Sequence, residues 1–302
     1  MNYLFEGIIG NDKIKEELKT SIDLNKNSHS YLFIGTSGIG KKLIAKEFAK
    51  MILCLDNNKY CNKCKSCIEF DSDNNPDFVQ IEPDGNSLKI EQIREMQKKV
   101  IEFPIVSNKK VYIVNDADKM TKEAQNCLLK TLEEPPEFVV IILIGANEND
   151  FLSTIKSRCT IIRFNEISDN EIKKYLKEKY QIDNIDENML EAFQGSIGRA
   201  EVLKDKKDLY NSIYKIIESI NRVNLIDILN EAEIIYKSQE DKFEILDYIN
   251  ILLFKHSKEN INYANCINIV EDTKKRLKAN SNYNMCIDNM LFKMWEEINC
   301  KI

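Results

Sequence analysis

A glycine-rich segment at residues 35–42, GTSGIGKK, has the spacing of a loop that binds the phosphates of a nucleotide. Gly35, Gly38 and Gly40 let backbone N–H groups converge on an anion, and Lys41 is placed to reach its outer phosphates. The next position normally carries a Ser or Thr hydroxyl that ligates Mg²⁺, but here it is Lys42, whose ammonium cannot act as that ligand. We therefore expect this loop to bind ATP or ADP weakly or not at all.

A second segment, VYIVNDAD at residues 111–118, is an apolar run that ends in polar and acidic residues. At this place a hydrolysing site carries an aspartate that positions the metal, followed by a glutamate that polarises water. The chain has the neutral amide of Asn115 and the shorter carboxylate of Asp116 instead. The missing Mg²⁺-ligating hydroxyl at Lys42 and the missing aspartate–glutamate pair at this strand end together predict a chain without intrinsic ATPase activity. The alternative is a working ATPase that tolerates both changes.

Four cysteines, Cys54, Cys61, Cys64 and Cys67, follow one another with the spacing C-x6-C-x2-C-x2-C. In a reducing compartment such a cluster indicates metal binding, and four thiolates suit a closed tetrahedral zinc site. We expect a structural zinc module, and the alternative is a nucleic-acid-binding zinc knuckle. The segment carries both lysines, which favour nucleic acid, and carboxylates, which oppose it: Lys59, Lys63, Lys65, Asp56, Glu69, Asp71 and Asp73.

Two arginines stand at the ends of predicted elements. Arg158, in the triplet Ser-Arg-Cys at 157–159, comes just before a predicted strand, where a neighbouring subunit could use it. Arg199 opens a predicted helix after a glycine-rich turn. His29 and His256 have no cysteine or carboxylate constellation around them in the sequence, so we predict no acid–base or nucleophilic triad.

The elements that position these residues change character along the chain. Apolar runs alternate with helical patterns up to residue 164, which predicts a parallel sheet covered on both faces. Beyond it only helical periodicity follows, beginning with a capping box, Ser168 to Glu171. The fold class is therefore α/β followed by all-α, with an α/β domain over 1–165, a small helical domain over 166–206 and a helical bundle over 207–302. The predicted strands are 31–35, 78–81, 111–114, 139–144 and 160–164, and the helices between them are 40–54, 90–103, 122–134 and 150–156.

Composition sets further bounds. The 302 residues carry a net charge of −6, so the electric field of the whole protein does not favour binding to the phosphate backbone of a nucleic acid. No apolar run approaches the roughly 20 residues that span a bilayer, and no basic stretch precedes an apolar one at the start. We therefore expect a cytoplasmic protein with no membrane partner.

These residues together resemble one family, the bacterial clamp-loader AAA+ subunits of the DNA polymerase III holoenzyme. The resemblance rests on HSYLF at 29–33, the phosphate loop, the four-cysteine insertion, LLKTLEEPPE at 128–137 and Ser-Arg-Cys at 157–159. It implies a RecA-like P-loop domain with a zinc module at 54–67, a helical lid and a C-terminal helical collar that holds a ring. It also implies that Asn147 is the first sensor residue, Arg199 the second, and Arg158 an arginine finger.

Within that family the motor subunits, gamma and tau, have an intact Gly-Lys-Thr loop and an Asp-Glu strand end. The departures at Lys42, Asn115 and Asp116 point instead to the delta prime type, the stator. The resemblance then implies a five-subunit ring of delta, three motor subunits and delta prime. It further implies that this ring, as part of the DNA-directed DNA polymerase holoenzyme, loads the sliding clamp onto primer–template DNA, and that Arg158 serves a neighbour's ATP site.

Overall fold

The computed structural model describes residues 5–56, 60–85 and 87–299. They form two compact units. The first runs to Lys174 and also takes in Gly195–Gly198, and the second comprises Tyr175–Gln194 and the chain from Arg199 onward. The division into three domains stays a prediction.

The first unit is built on a five-stranded sheet in which every described strand pair is parallel. Numbered along the chain, the strands lie side by side in the order 2-3-4-1-5, so the predicted parallel α/β sheet is confirmed. All five predicted strands are confirmed to within one residue at each end. The strands are β1 Ser30–Ile34, β2 Phe78–Ile81, β3 Lys110–Val114, β4 Val139–Gly145 and β5 Thr160–Arg163.

Helices cover both faces of the sheet, as the continuous apolar strands predicted. Alternate residues of each strand point to opposite faces, so Phe33 packs with the helices between residues 12 and 71, whereas Leu32 packs with those between residues 90 and 156. The helices are α1 Asp12–Asp23, α2 Lys41–Leu53, α3 Lys65–Asp71, α4 Ile90–Val100, α5 Lys122–Glu133 and α6 Ser153–Lys156.

Some helix boundaries differ from the sequence prediction. We predicted that α4 would extend to Phe103, but it ends at Val100, because Pro104 disfavours helical geometry in the residue before it. The predicted helix over 150–156 is a short 3-10 turn, Glu148–Asp150, followed by α6. The prediction missed α1, although Ile14, Leu18 and Ile22 recur with helical spacing and are buried.

Beyond β5 the described chain is helical, as predicted. The capping box is confirmed, because Ser168 N–H donates to Glu171 Oε2 at 3.1 Å and Glu171 N–H donates to Ser168 Oγ at 3.4 Å. No helix within the described ranges is both long enough and apolar enough to cross a membrane. The helices are α7 Asp169–Tyr180, α8 Glu187–Phe193, α9 Ile197–Leu203, α10 Lys207–Ser219, α11 Leu225–Glu231, α12 Glu233–Tyr236, α13 Lys242–Ser257, α14 Asn262–Lys278 and α15 Tyr283–Asn299.

Candidate nucleotide site, cysteine cluster and arginine

The phosphate loop and the two polar strand ends lie along one edge of the sheet. The loop at 35–40 follows β1, Asn115 and Asp116 follow β3, and Asn147 follows β4. Because β4 lies between β3 and β1, the carboxyl ends of these three parallel strands are adjacent. This is the edge where parallel α/β sheets bind ligands. The fold therefore brings the predicted nucleotide-site residues of the first unit together.

The loop has the backbone geometry that its glycines predict. Gly38 and Gly40 have φ of 79° and 93°, in the left-handed region that residues with a Cβ rarely adopt. Gly40 is also the N-cap of α2, so the free N–H groups of the first turn open onto the loop. The loop thus has the backbone shape that the glycine spacing predicts.

Lys41 is engaged by the loop itself. Its side chain is buried, and Nζ donates to the carbonyl oxygen of Thr36 at 2.7 Å and to that of Gly35. Burial lowers the pKa of Lys41, while the nearby carboxylates of Asp118 and Asp116 oppose that shift. Two donors of the ammonium are therefore used on loop carbonyls rather than directed at a ligand.

Lys42 has an acidic partner from the neighbouring chain segment. Its Nζ lies 2.6 Å from Oε1 of Glu82, just after β2, and this ion pair lowers the pKa of Glu82. Asp116 likewise pairs with Lys119 at 2.8 Å. The ammonium of Lys42 stands where an active loop has a hydroxyl for Mg²⁺, so the site replaces a metal ligand with a tethered cation.

Asn147 acts as a cap in this structure. Its Oδ1 accepts a hydrogen bond from the N–H of Asn149 at 3.0 Å at the start of the 3-10 turn. The sensor role that the family resemblance gives to Asn147 remains a prediction.

A contact that the sequence did not reveal joins the loop to Gly198. The Gly198 N–H donates to the carbonyl oxygen of Gly38 at 2.9 Å. A Cβ at residue 198 would stand 2.9 Å from Gly38 Cα, which is closer than real Cβ contacts. The next residue, Arg199, belongs to the second unit, where its Nη1 donates to Gln194 Oε1. Gly198 thus touches the phosphate loop through its backbone.

The four predicted cysteine ligands converge. All their Sγ atoms lie within 4.8 Å of one another, with 3.5 Å between Cys54 and Cys61 and 3.9 Å between Cys61 and Cys67. Tetrahedral zinc with Zn–S bonds of about 2.3 Å requires about 3.8 Å between sulfurs, so this donor set fits such an ion. Lys59, one of the lysines that favoured a nucleic-acid role, lies outside the described residues.

The thiols of the cluster are in different surroundings. Burial opposes ionisation of Cys64, but hydrogen bonds from the backbone at Leu55 and Cys67 and from the thiols of Cys67 and Cys61 outweigh it and lower the pKa of Cys64 to about 6. Burial and neighbouring thiols raise the pKa of Cys67. A thiolate at Cys64 is therefore favoured even before a cation adds its own charge.

A buried polar network, which sequence reasoning missed, begins at Ser66, the residue before Cys67. Ser66 Oγ lies 2.8 Å from Ser107 Oγ and accepts from Asn75 Nδ2 at 2.9 Å. Asn75 Oδ1 in turn accepts from the N–H of Asp77, whose fully buried carboxylate accepts three N–H groups from residues 105–107. The network thus fixes a loop on which Phe103 and Ile105 are 78% and 79% exposed.

Arg158 lies at the opposite edge of the sheet, before β5. Its Nη2 is 2.6 Å from Glu133 Oε1, and its Nη1 donates to the Thr154 carbonyl at 2.9 Å and to Ser157 Oγ at 3.2 Å. The side chain remains 32% exposed. Sequence reasoning singled out the arginine and missed its partner.

Comparison with known proteins decides the family. The family model described as "DNA polymerase III, delta subunit" matches residues 10–168, just over half of the chain. The chain belongs to this family. It is therefore a member of the DNA polymerase III clamp-loader family, and the matched range includes the phosphate loop, the cysteine cluster and Arg158.

Named relatives include more than one subunit type. The chain is 37% identical over 168 residues to DNA polymerase III subunit delta' of Bacillus subtilis, covering 55% of this chain and 51% of that protein. It is 28% identical over 256 residues to DNA polymerase III subunit tau/gamma of Haemophilus influenzae, and this match covers 80% of this chain and 36% of that protein. The matches to the first curated relatives thus span about half of their length or less.

A solved structure, that of a DNA polymerase III gamma subunit-related protein of Thermotoga maritima, is similar over 93% of this chain and 99% of that chain. Its sequence identity is 20% and its TM-score is 0.48.

Proposed function

We propose that this chain is the delta prime type of clamp-loader subunit, a stator that does not hydrolyse ATP itself. The observation that carries the proposal is the ion pair of Lys42 with Glu82, which stands where a motor subunit would hold the Mg²⁺ of its nucleotide. Family membership and the similarity to a delta' subunit support the same choice. The relatives named gamma and tau leave a motor subunit as the rival.

The partners in this proposal are the motor subunits and delta in a five-subunit ring in the cytoplasm. The sliding clamp and primer–template DNA are reached through that assembly. Arg158 would supply its guanidinium to the ATP site of one neighbouring motor subunit, where a finger in trans stabilises charge on the transferred phosphate. Its partial exposure supports this use, because a guanidinium that must reach another chain has to remain accessible.

Zinc would be held by Cys54, Cys61, Cys64 and Cys67. The sulfur separations support a closed four-thiolate site, in which the ion stabilises the folded module and offers no open position for chemistry. The acidic residues near it argue against the rival nucleic-acid-binding knuckle. Salt-dependent DNA binding by the isolated chain would favour that rival.

The first test is ATP binding and hydrolysis by the purified chain with Mg²⁺. We expect no turnover, and we expect Lys42→Thr alone not to restore it, because the strand end still carries Asn115 in place of an aspartate. Turnover at about 1 s⁻¹ or faster, the lower end for typical enzymes, would identify a motor subunit instead.

The second test measures the mass of the complex formed by the motor subunit and delta, with and without this chain. We expect a five-subunit mass only when the chain is present. In that ring, Arg158→Ala should leave assembly and thermal stability unchanged and should slow clamp loading. Arg158→Lys should rescue poorly, because it keeps the charge and loses the planar fork of donors. Equal loading rates with Arg or Ala at 158 would contradict the trans role.

A further inference from the structure

The arginine proposed to act on a neighbouring subunit is held by a glutamate of its own chain. Glu133 is the last residue of α5, and Arg158 follows α6, so the two side chains meet where both helices end near the start of β5. The oxygen–nitrogen distance of 2.6 Å is that of a short charge-assisted hydrogen bond.

The guanidinium contacts leave one side of the group unused. Nη1 has two partners on its own chain, the Thr154 carbonyl and Ser157 Oγ, and Nη2 has Glu133. Within residues 5–56, 60–85 and 87–299, Nε has no hydrogen-bond acceptor. An arginine offers five N–H donors in a rigid plane, so fixing Nη1 and Nη2 orients the plane while Nε–H and a second Nη2 proton remain for a ligand.

We propose that Glu133 is a positioning residue for Arg158, and that it orients the guanidinium for a phosphoryl group on the neighbouring subunit. This inference rests on the proposed function of Arg158. Glu133 touches no reacting atom itself. It limits the rotation of a long, partly exposed side chain that would otherwise sample many rotamers before reaching its target.

The neighbouring glutamate provides a matched control. Glu134 is exposed, and within the described residues its carboxylate has neither an ion pair nor a hydrogen bond. Glu134→Ala therefore removes the same charge from the same helix end without touching Arg158. Glu133→Gln keeps an acceptor oxygen and loses the charge, so it should fall between Glu133→Ala and the wild type.

The test is a double-mutant cycle on clamp loading and DNA-stimulated ATPase by the ring assembled with the full chain. With Arg158 present, we expect Glu133→Ala to lower kcat at the adjoining site by about ten-fold, with the KM for ATP unchanged. Glu133→Gln should lower it by about three-fold, and Glu134→Ala should have no effect. In the Arg158→Ala background, Glu133→Ala should add no further loss, because its only route to the reaction is through the arginine.

A second measurement needs no partner. The rotation of the Arg158 guanidinium, measured by NMR line shapes in the isolated chain, should be faster in Glu133→Ala than in the wild type and unchanged in Glu134→Ala. Equal rotation in all three would overturn the positioning role, as would a loss of kcat by Glu133→Ala that persists without Arg158.

The remaining outcomes separate the two proposals. If Arg158→Ala slows loading and Glu133→Ala behaves like Glu134→Ala, the positioning role is wrong and the trans arginine stands. If Arg158→Ala has no effect on loading while Glu133→Ala frees the guanidinium, the trans role itself is wrong and the pair is only structural.

Discussion

Asp77→Asn is the substitution that tests the buried network most directly. The carboxylate of Asp77 is fully buried, and its Oδ1 accepts the N–H of Ile105 at 2.6 Å. Its Oδ2 accepts the N–H groups of Val106 and Ser107 at 2.7 Å and 2.6 Å. Asparagine has the same shape, but it replaces one of these acceptor oxygens with an NH₂ group that faces a backbone donor.

The magnitude follows from these three hydrogen bonds. In its better orientation the amide keeps the two bonds at Oδ2 and loses the one at Oδ1. The lost bond to a charged acceptor costs about 1.5–3 kcal/mol, and the two that remain are weakened because the acceptor is now neutral. Removing a buried charge offsets part of the loss. We expect the free energy of unfolding of the first unit to fall by about 3 kcal/mol.

Hydrogen exchange measured by mass spectrometry is the assay, because it reads the three amides themselves. A loss of about 3 kcal/mol corresponds to about a hundred-fold faster exchange at Ile105, Val106 and Ser107. The single tryptophan, Trp295, lies in the second unit and gives a separate fluorescence signal for it.

Asp12→Asn is the control for this measurement, since Asp12 is 80% exposed and should change stability by no more than about 0.5 kcal/mol. If Asp77→Asn changed both stability and exchange as little as this control, our reasoning on the three short hydrogen bonds would be refuted.

Three further predictions concern other parts of the chain. Cys64→Ser should lose stoichiometric zinc and lower the stability of the first unit, because a closed four-thiolate site stabilises only the folded state; full zinc content by metal analysis would contradict this. Gly198→Ala should lower the melting temperature, since its Cβ would press against the backbone of the phosphate loop at 2.9 Å, and an unchanged melting temperature would show that the contact is loose. Hydrogen bonds from Lys179 and Tyr175 lower the pKa of Glu201 to about 2, so its stabilisation is complete above the ordinary value of 4.5 and is lost as the pH falls towards 2. Urea unfolding should therefore show wild type more stable than Glu201→Gln at pH 6 and equal to it near pH 2; a difference that does not change with pH would contradict the assignment.

The sequence predicted the sheet well because its signals are local. An apolar run bounded by turn residues is sufficient to place a buried strand, and all five strands were located to within a residue. The glycine spacing of the phosphate loop and the spacing of the cysteines are likewise short-range patterns, and the structure brings both sets of residues together.

Partnerships between distant segments could not be predicted in this way. Lys42 and Glu82 are 40 residues apart, and Asp77 reaches the backbone of a loop 28 to 30 residues further on. Which segments meet depends on the order of the strands in the sheet, and hydrophobic periodicity does not encode that order. For the same reason the contact of Gly198 with Gly38 was missed, although the sequence showed both the phosphate loop and a glycine-rich turn before Arg199.

By itself, then, the sequence determined where this chain departs from a hydrolysing nucleotide site: the lysine at the Mg²⁺ position and the amide at the strand end are readable without coordinates. Only the tertiary structure decided which partners the charged side chains of the predicted sites contact. Lys42 forms an ion pair with Glu82, Lys41 donates to carbonyl groups of its own loop, and Arg158 forms an ion pair with Glu133. A charged side chain takes the partner that the fold places within a few ångströms, and chain folding sets that distance independently of the residues next to it in sequence.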